Sequence, residues 1–290
     1  MAKGNTSSFG GINIIFTGDF TQSLPGGQTH LYDHINMAMK YGQNTIFRKL
    51  LCLSVKTVVI LTEIKQQTGE NNASFVSLLS QLQDGKCMDK DYELLSLRVI
   101  SNIKLDWSDP EWSGIPVIVS DNMVKDVINE KSAAEFAQQS GQELQWYYAT
   151  DLYKGKSLGD TNLKQKLETL HSGLTSQWLG NVPLVLGMPM MISTNFNVEG
   201  GIVNGCTGIL KQIRYHVDSE GKCHSTSCVI HTPNTTGENL PHLHEYHVAA
   251  LEDSVEMTFT HPHFKQKCKI TCIQVPIASI FTMTANKVQG

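Results

Sequence analysis

Short apolar runs and segments with helical spacing alternate along the first half of the chain. Ile12 to Phe16 is an apolar run that follows two glycines and ends at Thr17-Gly18-Asp19. This pattern predicts a strand buried on both faces of a parallel sheet, with its polar tip at the carboxyl end. Lys56 to Glu63 predicts a second buried strand.

Two helices are predicted after this second strand. The first has apolar residues at helical intervals and ends near Gly85, and Asp89 to Arg98 forms the second. The apolar residues of the first helix are Phe75, Leu78, Leu79 and Leu82.

Pro116 to Val119 predicts another buried strand, which Ser120-Asp121 ends before a longer helix. The apolar residues of this helix are Met123, Val124, Val127, Ile128, Ala134 and Phe136. A strand followed by a helix in this way favours a second parallel sheet.

The pattern changes after about Gly180, where short apolar runs and glycine pairs replace the helical spacing. Asn204-Gly205 is a dipeptide typical of tight hairpins. Residues 182–262 therefore predict a small all-β, barrel-like insert, after which a buried strand returns near Ile270 to Phe281. The fold class that we predict is α/β with parallel sheets and this small all-β insert.

Composition limits the classes of protein that fit this pattern. A chain of 290 residues with 40% hydrophobic content can bury a core and exceeds the usual size of one domain. Its longest apolar stretches are far shorter than the roughly 20 residues of a membrane span, so we expect no membrane partner. Seven cysteines at irregular spacing fit reduced thiols and an intracellular compartment.

Charge argues mildly against a protein that grips duplex DNA by bulk electrostatics. The net charge is −4, and Arg48, Arg98 and Arg214 are the only arginines. Nearly all positive charge is therefore on lysine, and a local binding groove stays compatible with the sequence.

Asp19 and Gln22 follow the first predicted strand, at the edge where ligands sit in open α/β sheets. They are candidates for chemistry. An alternative of about equal weight is an ordinary turn, in which Asp19 binds nearby backbone amides.

Four segments in order resemble the Pif-type and Helitron-type ATP-dependent DNA helicases of superfamily one, with the fungal transposon branch most similar. The first is Phe9 to Pro25, and the second is Leu61 to Gln67. The third is Gly187 to Ile192 with Asn195, Glu199-Gly200-Gly201, Val203-Asn204-Gly205 and Gly208. The fourth is Gln274-Val275-Pro276 with Phe281 to Gly290. Together they extend over most of the chain, which makes the resemblance specific.

The resemblance implies two RecA-like lobes that hold ATP between them, with single-stranded DNA across both. Residues 1–62 would end the first lobe, residues 63–181 and 263–290 would form the second, and residues 182–262 would be the insert. The cofactors of the intact family are ATP and Mg²⁺. The partners implied are single-stranded or forked DNA and the missing amino-terminal helicase half, in the nucleus, with roles in DNA repair, recombination, telomere maintenance or transposition.

The resemblance also assigns site residues. Asp19 and Gln22 correspond to positions that sense the terminal phosphate of ATP and couple it to DNA, and Gly18 and Gly290 to positions at the nucleotide. The positions that meet single-stranded DNA are Thr284, Asn286, Lys287 and Gln289.

The sequence departs from the family in its ATP chemistry. It contains no phosphate loop, since Thr150 stands where a glycine would have to precede Gly155-Lys156-Ser157, and the family's acidic magnesium-binding pair is also missing. Gln66 occupies a usual arginine-finger position, and Lys65 beside it cannot replace a planar guanidinium. We therefore expect this chain, as a cut and partly decayed helicase half, to bind neither ATP nor Mg²⁺ tightly and to be inactive alone.

Two other functions compete with an active helicase fragment. One is a degenerate transposon-derived remnant that at most binds single-stranded DNA or a protein, and the other is an unrelated nucleotide-binding α/β enzyme.

Three further groups of residues are weaker candidates for a site. Cysteines and histidines between His216 and Cys272 have irregular spacing, so we predict no metal site. Lys265, Lys267 and Lys269 alternate on a predicted strand, where they either contact phosphates or guard a solvated edge. The four tryptophans more often form core or rim than stack on bases.

Overall fold

The computed structural model describes residues 8–19, 21, 42–63, 72–104, 106, 109, 112, 114–233, 235, 242–260 and 267–288. By internal contacts the chain divides into two compact units, Met1–Trp107 and Ser108–Gly290. The predicted three-part division, 1–62, 63–181 with 263–290, and 182–262, is not tested by this grouping and stays a prediction.

The regular elements described in the first unit are helices. Its helices are α1 (Gly42–Leu53), α2 (Ala73–Asp84) and α3 (Asp89–Ser96). Gly85 ends α2 in the left-handed conformation (φ 68°), and its backbone N–H donates to the carbonyls of Gln81 and Leu82. The two helices predicted here are therefore confirmed, and the stop at Gly85 has the expected physical cause.

The two strands predicted in the first unit are wrong for the described residues. Residues 12–16 and 56–63 form no regular secondary structure and pair with no described strand. Their apolar side chains are exposed, with Ile15 at 90% and Leu61 at 91%. β-propensity measures how well a side chain fits a paired, half-buried surface, and neither segment has such a surface among the described residues.

The second unit begins with the predicted strand and helix. Strand β1 (Val117–Val119) leads into α4 (Asn122–Ser140), and the Asp121 carboxylate caps the helix by accepting from the backbone N–H of Met123 at 2.6 Å. Val117 and Ile118 are 53% and 56% exposed, so the prediction that this strand is buried is wrong.

The remaining elements of this unit are mostly strands. They are β2 (Gln145–Tyr148), β3 (Thr150–Tyr153), β4 (Lys156–Ser157), α5 (Thr161–Glu168), β5 (Asn181–Leu184), β6 (Pro189–Ile192), β7 (Thr207–Val217), β8 (Cys223–His231), β9 (His247–Leu251), β10 (Asp253–Thr260), β11 (Lys267–Gln274), β12 (Ile277–Ser279), β13 (Thr282–Thr284) and α6 (Ala285–Val288).

Three sheets organise these strands. Strand β1 pairs parallel with β13, so the predicted second parallel sheet is present as two strands. A seven-stranded sheet has the order β12-β6-β7-β8-β2-β5, with β9 on β8, and a four-stranded sheet has the order β10-β11-β3-β4. The predicted class, α/β with a barrel-like β insert, is confirmed.

The β-rich region differs in detail from the prediction. Strands β2 to β4 lie before residue 182 and join the same sheets as the later strands. The single strand predicted near Ile270 to Phe281 is three strands, β11, β12 and β13, which belong to three different sheets. Asn204-Gly205 lies in the long connection between antiparallel β6 and β7 rather than in a tight hairpin.

The main core lies between the seven-stranded sheet and α4. Its largest fully buried side chains include Leu184, Met188, Met190, Ile192 and Leu210. The face that α4 turns inward is small and partly polar, because Asn129, Ala133 and Ala137 are the buried residues. Three of the apolar residues that predicted this helix lie outside its buried face, since Met123, Val124 and Val127 are 44–56% exposed.

Asn129 joins α4 to β13 through two hydrogen bonds. Its side-chain Nδ2 donates to the carbonyl of Thr282 at 3.0 Å, and its Oδ1 accepts from the backbone N–H of Thr282 at 2.8 Å. Both residues are buried, at 6% and 0% exposure. A buried amide that satisfies a backbone donor and acceptor together fixes the helix in one register against the strand.

Gly208 allows close packing between β7 and β8. A Cβ at this position would lie 2.2 Å from the backbone oxygen of His231. This close approach gives a steric reason for a glycine at position 208. Gly208 also belongs to a segment that carries the family resemblance.

None of the described helices is both long enough and apolar enough to cross a membrane.

We predict that Asn129→Leu lowers the free energy of unfolding of the second unit by about 2–5 kcal/mol, because two buried backbone groups of Thr282 lose their partners. Urea denaturation would measure the change. Gln138→Leu on the exposed face of α4 is the control, and equal stability of the two variants would contradict the role of Asn129.

We also predict that Gly208→Ala destabilises the protein by about 1–3 kcal/mol, because the backbone of β8 must move to admit a methyl group. Gly159→Ala is the matched control, since a Cβ there meets nothing within 4 Å. Thermal unfolding of both variants checks this, and a Gly208→Ala protein as stable as the control would refute the steric argument.

Candidate functional site

The carboxyl ends of β1 and β13 meet at one edge, because the two strands are parallel. Val119 lies opposite Thr284 there, and each strand then leads into a helix, α4 or α6. This edge is where open α/β sheets place their ligands. Of the residues that the resemblance assigned to DNA, Thr284 is buried at the end of β13, and Lys287 is half-buried in α6.

Lys287 has a second lysine for a neighbour. Its ammonium donates to the side-chain oxygen of Asn204, in the connection between β6 and β7. Burial lowers the pKa of Lys287, and the positive charge of Lys125 lowers it further. Both effects disfavour the charged ammonium, so an anion between the two lysines would be stabilised by both of them.

Lys125 is held in place by groups from a different part of the chain. Its Nζ donates to Ser172 Oγ at 2.8 Å and to Gln177 Oε1 at 2.9 Å, and it lies 3.3 Å from Asp126 Oδ1. Only 12% of its side chain is exposed. A long, flexible side chain is thereby restricted to one position, which reduces the entropy that it would lose on binding a ligand.

Asp126 fixes the loop that supplies these partners. Its two carboxylate oxygens accept from the backbone N–H of Ser172 at 2.6 Å and from the Ser172 hydroxyl at 2.9 Å. Ser176 and Gln177 in the same loop have positive φ, at 55° and 72°. Such backbone conformations are unfavourable for residues other than glycine, and they persist where surrounding contacts hold them.

Asn129, which is bonded to β13, lies four residues after Lys125. Residues at this spacing share one face of a helix, so the contact with Thr282 also directs Lys125 toward the edge where Lys287 lies. Neither Lys125 nor Asn129 was predicted from the sequence. The available signal was a lysine and an asparagine four residues apart in a helix that follows a predicted parallel strand.

Asp19 and Gly18, in the first unit, are exposed. The Asp19 carboxylate accepts from the backbone N–H of Thr21 at 2.9 Å and from its hydroxyl at 2.6 Å. These hydrogen bonds lower the pKa of Asp19 below its usual value. The contact has the form of the turn that was the alternative to a catalytic role, and the role in phosphate sensing stays a prediction.

Several predicted residues cannot be compared with this geometry. Gln22, Gln66, Gln289 and Gly290 lie outside the described residues, and Asn286 is described only as part of the backbone of α6. Lys265 also lies outside. Lys269 pairs with Glu256 at 2.7 Å, and the two side chains are 69% and 60% exposed. Its strand, β11, lies between β10 and β3, so the alternative of a solvated edge strand is wrong.

The histidine-rich strands hold polar pairs rather than a cluster of ligands. His224 lies 3.1 Å from Asp218 and stacks on His216 with ring centroids 5.2 Å apart. Within the described ranges, three or more metal-binding side chains do not come together at any point.

Comparisons with known proteins bear on the family. Residues 1–93 match the family model described as PIF1-like helicase. Among curated proteins, none matches the chain.

Solved structures of Pif1 helicases are similar at 16–17% identity. That from Candida albicans has a TM-score of 0.49 over 79% of this chain and 47% of its own. Two from Bacteroides, one in complex with ADP-AlF3 and single-stranded DNA and one bound to single-stranded DNA, have TM-scores of 0.46 and 0.47 over 80% of this chain and 43% of theirs.

The chain thus spans less than half the length of these solved structures. The match to the PIF1-like helicase family covers residues 1–93 of the 290.

Proposed function

We propose that this chain is part of an ATP-dependent DNA helicase and that its second unit binds the phosphate backbone of single-stranded DNA at the edge of β1 and β13. The observation that carries the proposal is that Lys125 and Lys287 line the same small cavity there, and that Lys287 has no carboxylate partner among the described residues. Lysine binds phosphate as a point charge, and two of them suit one phosphate group.

A local pair of cations also agrees with the overall charge of the chain. At a net charge of −4, long-range attraction to DNA is weak, so binding must depend on a few positioned groups. Partly buried lysines are screened less by salt than exposed ones. The site would therefore contact the backbone of a single strand without reading its sequence.

ATP chemistry would require residues that this sequence does not contain. Phosphoryl transfer in such enzymes needs a phosphate loop, a magnesium ligand and an arginine finger. No phosphate-loop motif occurs in the 290 residues, and Gln66 stands at the finger position. We propose that ATP and Mg²⁺ are bound only when a complementary helicase half supplies these groups.

The exposed apolar segments of the first unit support such a partner. Residues 12–16 and 56–63 have the sequence of buried strands, yet the side chains of Val58, Val59 and Ile60 are 76–81% exposed. Added strands from a complementary half would cover them and complete a parallel sheet. In this proposal residues 1–62 end one RecA-like lobe, and residues 63–181 with 263–290 belong to the other.

We predict that Lys287→Ala weakens binding of single-stranded DNA by about fivefold to tenfold for all sequences alike and reduces the salt dependence by about one phosphate contact. Fluorescence anisotropy with labelled oligonucleotides at several salt concentrations would measure both effects. Lys269→Ala is the control, because that lysine is exposed and paired with Glu256. Equal losses in the two variants would contradict a specific site.

We further predict that the purified chain shows no ATP turnover that single-stranded DNA stimulates, because the loss of an arginine finger alone costs about 10³–10⁵ in rate. A steady-state phosphate-release assay checks this. Gln66→Arg is the informative variant, and we expect it to remain inactive because the phosphate loop is still missing. DNA-stimulated turnover by either protein would refute the proposal that a complementary helicase half must supply the groups for ATP chemistry.

A further inference from the structure

A cleft opens beside the two lysines, on the other side of Lys125. It has a volume of about 340 Å³ and lies between α4, the loop around Ser172 and strands β2 and β5. This volume is at the small end of the range for ligand sites, which suits one nucleobase better than a larger group. The described residues that line the cleft all belong to the second unit.

The cleft and the lysine edge form one continuous surface. Lys125, Gln177, Ala278 and Ser279 line both the cleft and the smaller cavity that contains Lys287 and Thr284. A phosphate held between Lys125 and Lys287 would therefore have an adjoining nucleoside within reach of the cleft.

Charge decides which part of a nucleotide would enter. Asp126, Glu130 and Glu168 line the cleft. Lys125 lies at the boundary of the cleft and also lines the smaller cavity that contains Lys287. Carboxylates repel a phosphate, but they accept hydrogen bonds from the N–H groups of bases. The lining therefore favours an uncharged base inside the cleft and keeps the phosphate at the lysines.

Two rings in the cleft suit a base. Trp146 is half-buried, and an indole can stack on a base. His171 also lines the cleft, and its imidazole is a second ring that can lie beside a base.

We propose that this cleft receives one base of the bound DNA strand, stacked on Trp146 and hydrogen-bonded to the polar lining, while the adjoining phosphate lies between Lys125 and Lys287. This inference rests on the proposed single-stranded DNA binding. It adds one position along the DNA strand at which the base contributes to the binding affinity.

An abasic scan with the full chain tests the inference. A single abasic site is moved along a short oligonucleotide, and affinity is measured at each position. We expect one position at which removal of the base weakens binding about fivefold or more, as loss of a stacked base does. In Trp146→Ala the same position should lose this sensitivity, while Trp112→Phe, outside the cleft, should retain it.

The outcomes separate this inference from the proposed function. If intact oligonucleotides bind and Lys287→Ala weakens them, but the scan of the unaltered chain is flat, the base cleft is overturned and the phosphate site stands. If no oligonucleotide binds, both fail. If Trp146→Ala does not fold, His171→Ala replaces it, and undiminished sensitivity in that folded variant also overturns the inference.

Discussion

The double hydrogen bond between the Asn129 side chain and the backbone of Thr282 is the contact on which the candidate site depends. It joins a helix to a strand that lies 153 residues later in the chain. The buried face of α4 is small and partly polar, and its buried amide supplies a directional contact that apolar packing alone would not. Lys125 then lies on the helix face that meets the end of β13.

The consequence of this arrangement is a site assembled from three separate segments. Helix α4 supplies Lys125, the loop around Ser172 restrains it, and α6 supplies Lys287. Each lysine has a cost in the free protein, because Lys125 is ordered and Lys287 is partly desolvated beside a like charge. These costs are paid before binding, so an anion meets a preorganised pair of cations.

The sequence predicted local features well where one short segment determines them. The stop of α2 at Gly85 depends on the left-handed conformation of one residue, and the start of α4 depends on one carboxylate cap, so both were predictable. The burial of β1 and of residues 12–16 depends on neighbouring strands, which a local pattern does not contain. The apolar run was present in each case, but among the described residues β1 pairs with one strand and residues 12–16 pair with none.

The site itself was half predictable. Lys287 and Thr284 belong to a motif whose resemblance to a helicase family is visible in one stretch of sequence. Lys125 and Asn129 carry no such motif, and the inward face of α4 is polar where the pattern of Met123, Val124 and Val127 indicated an apolar one. Only the long-range contact with Thr282 identifies these residues.

The most direct test of the account is a double-mutant cycle for single-stranded DNA affinity with Lys125→Gln, Lys287→Ala and the double variant. If the two lysines share one phosphate, each single change weakens binding, and the double variant loses clearly less than the sum of the two free-energy losses. Strictly additive losses, or no loss for Lys125→Gln, would contradict a joint site at the edge of β1 and β13.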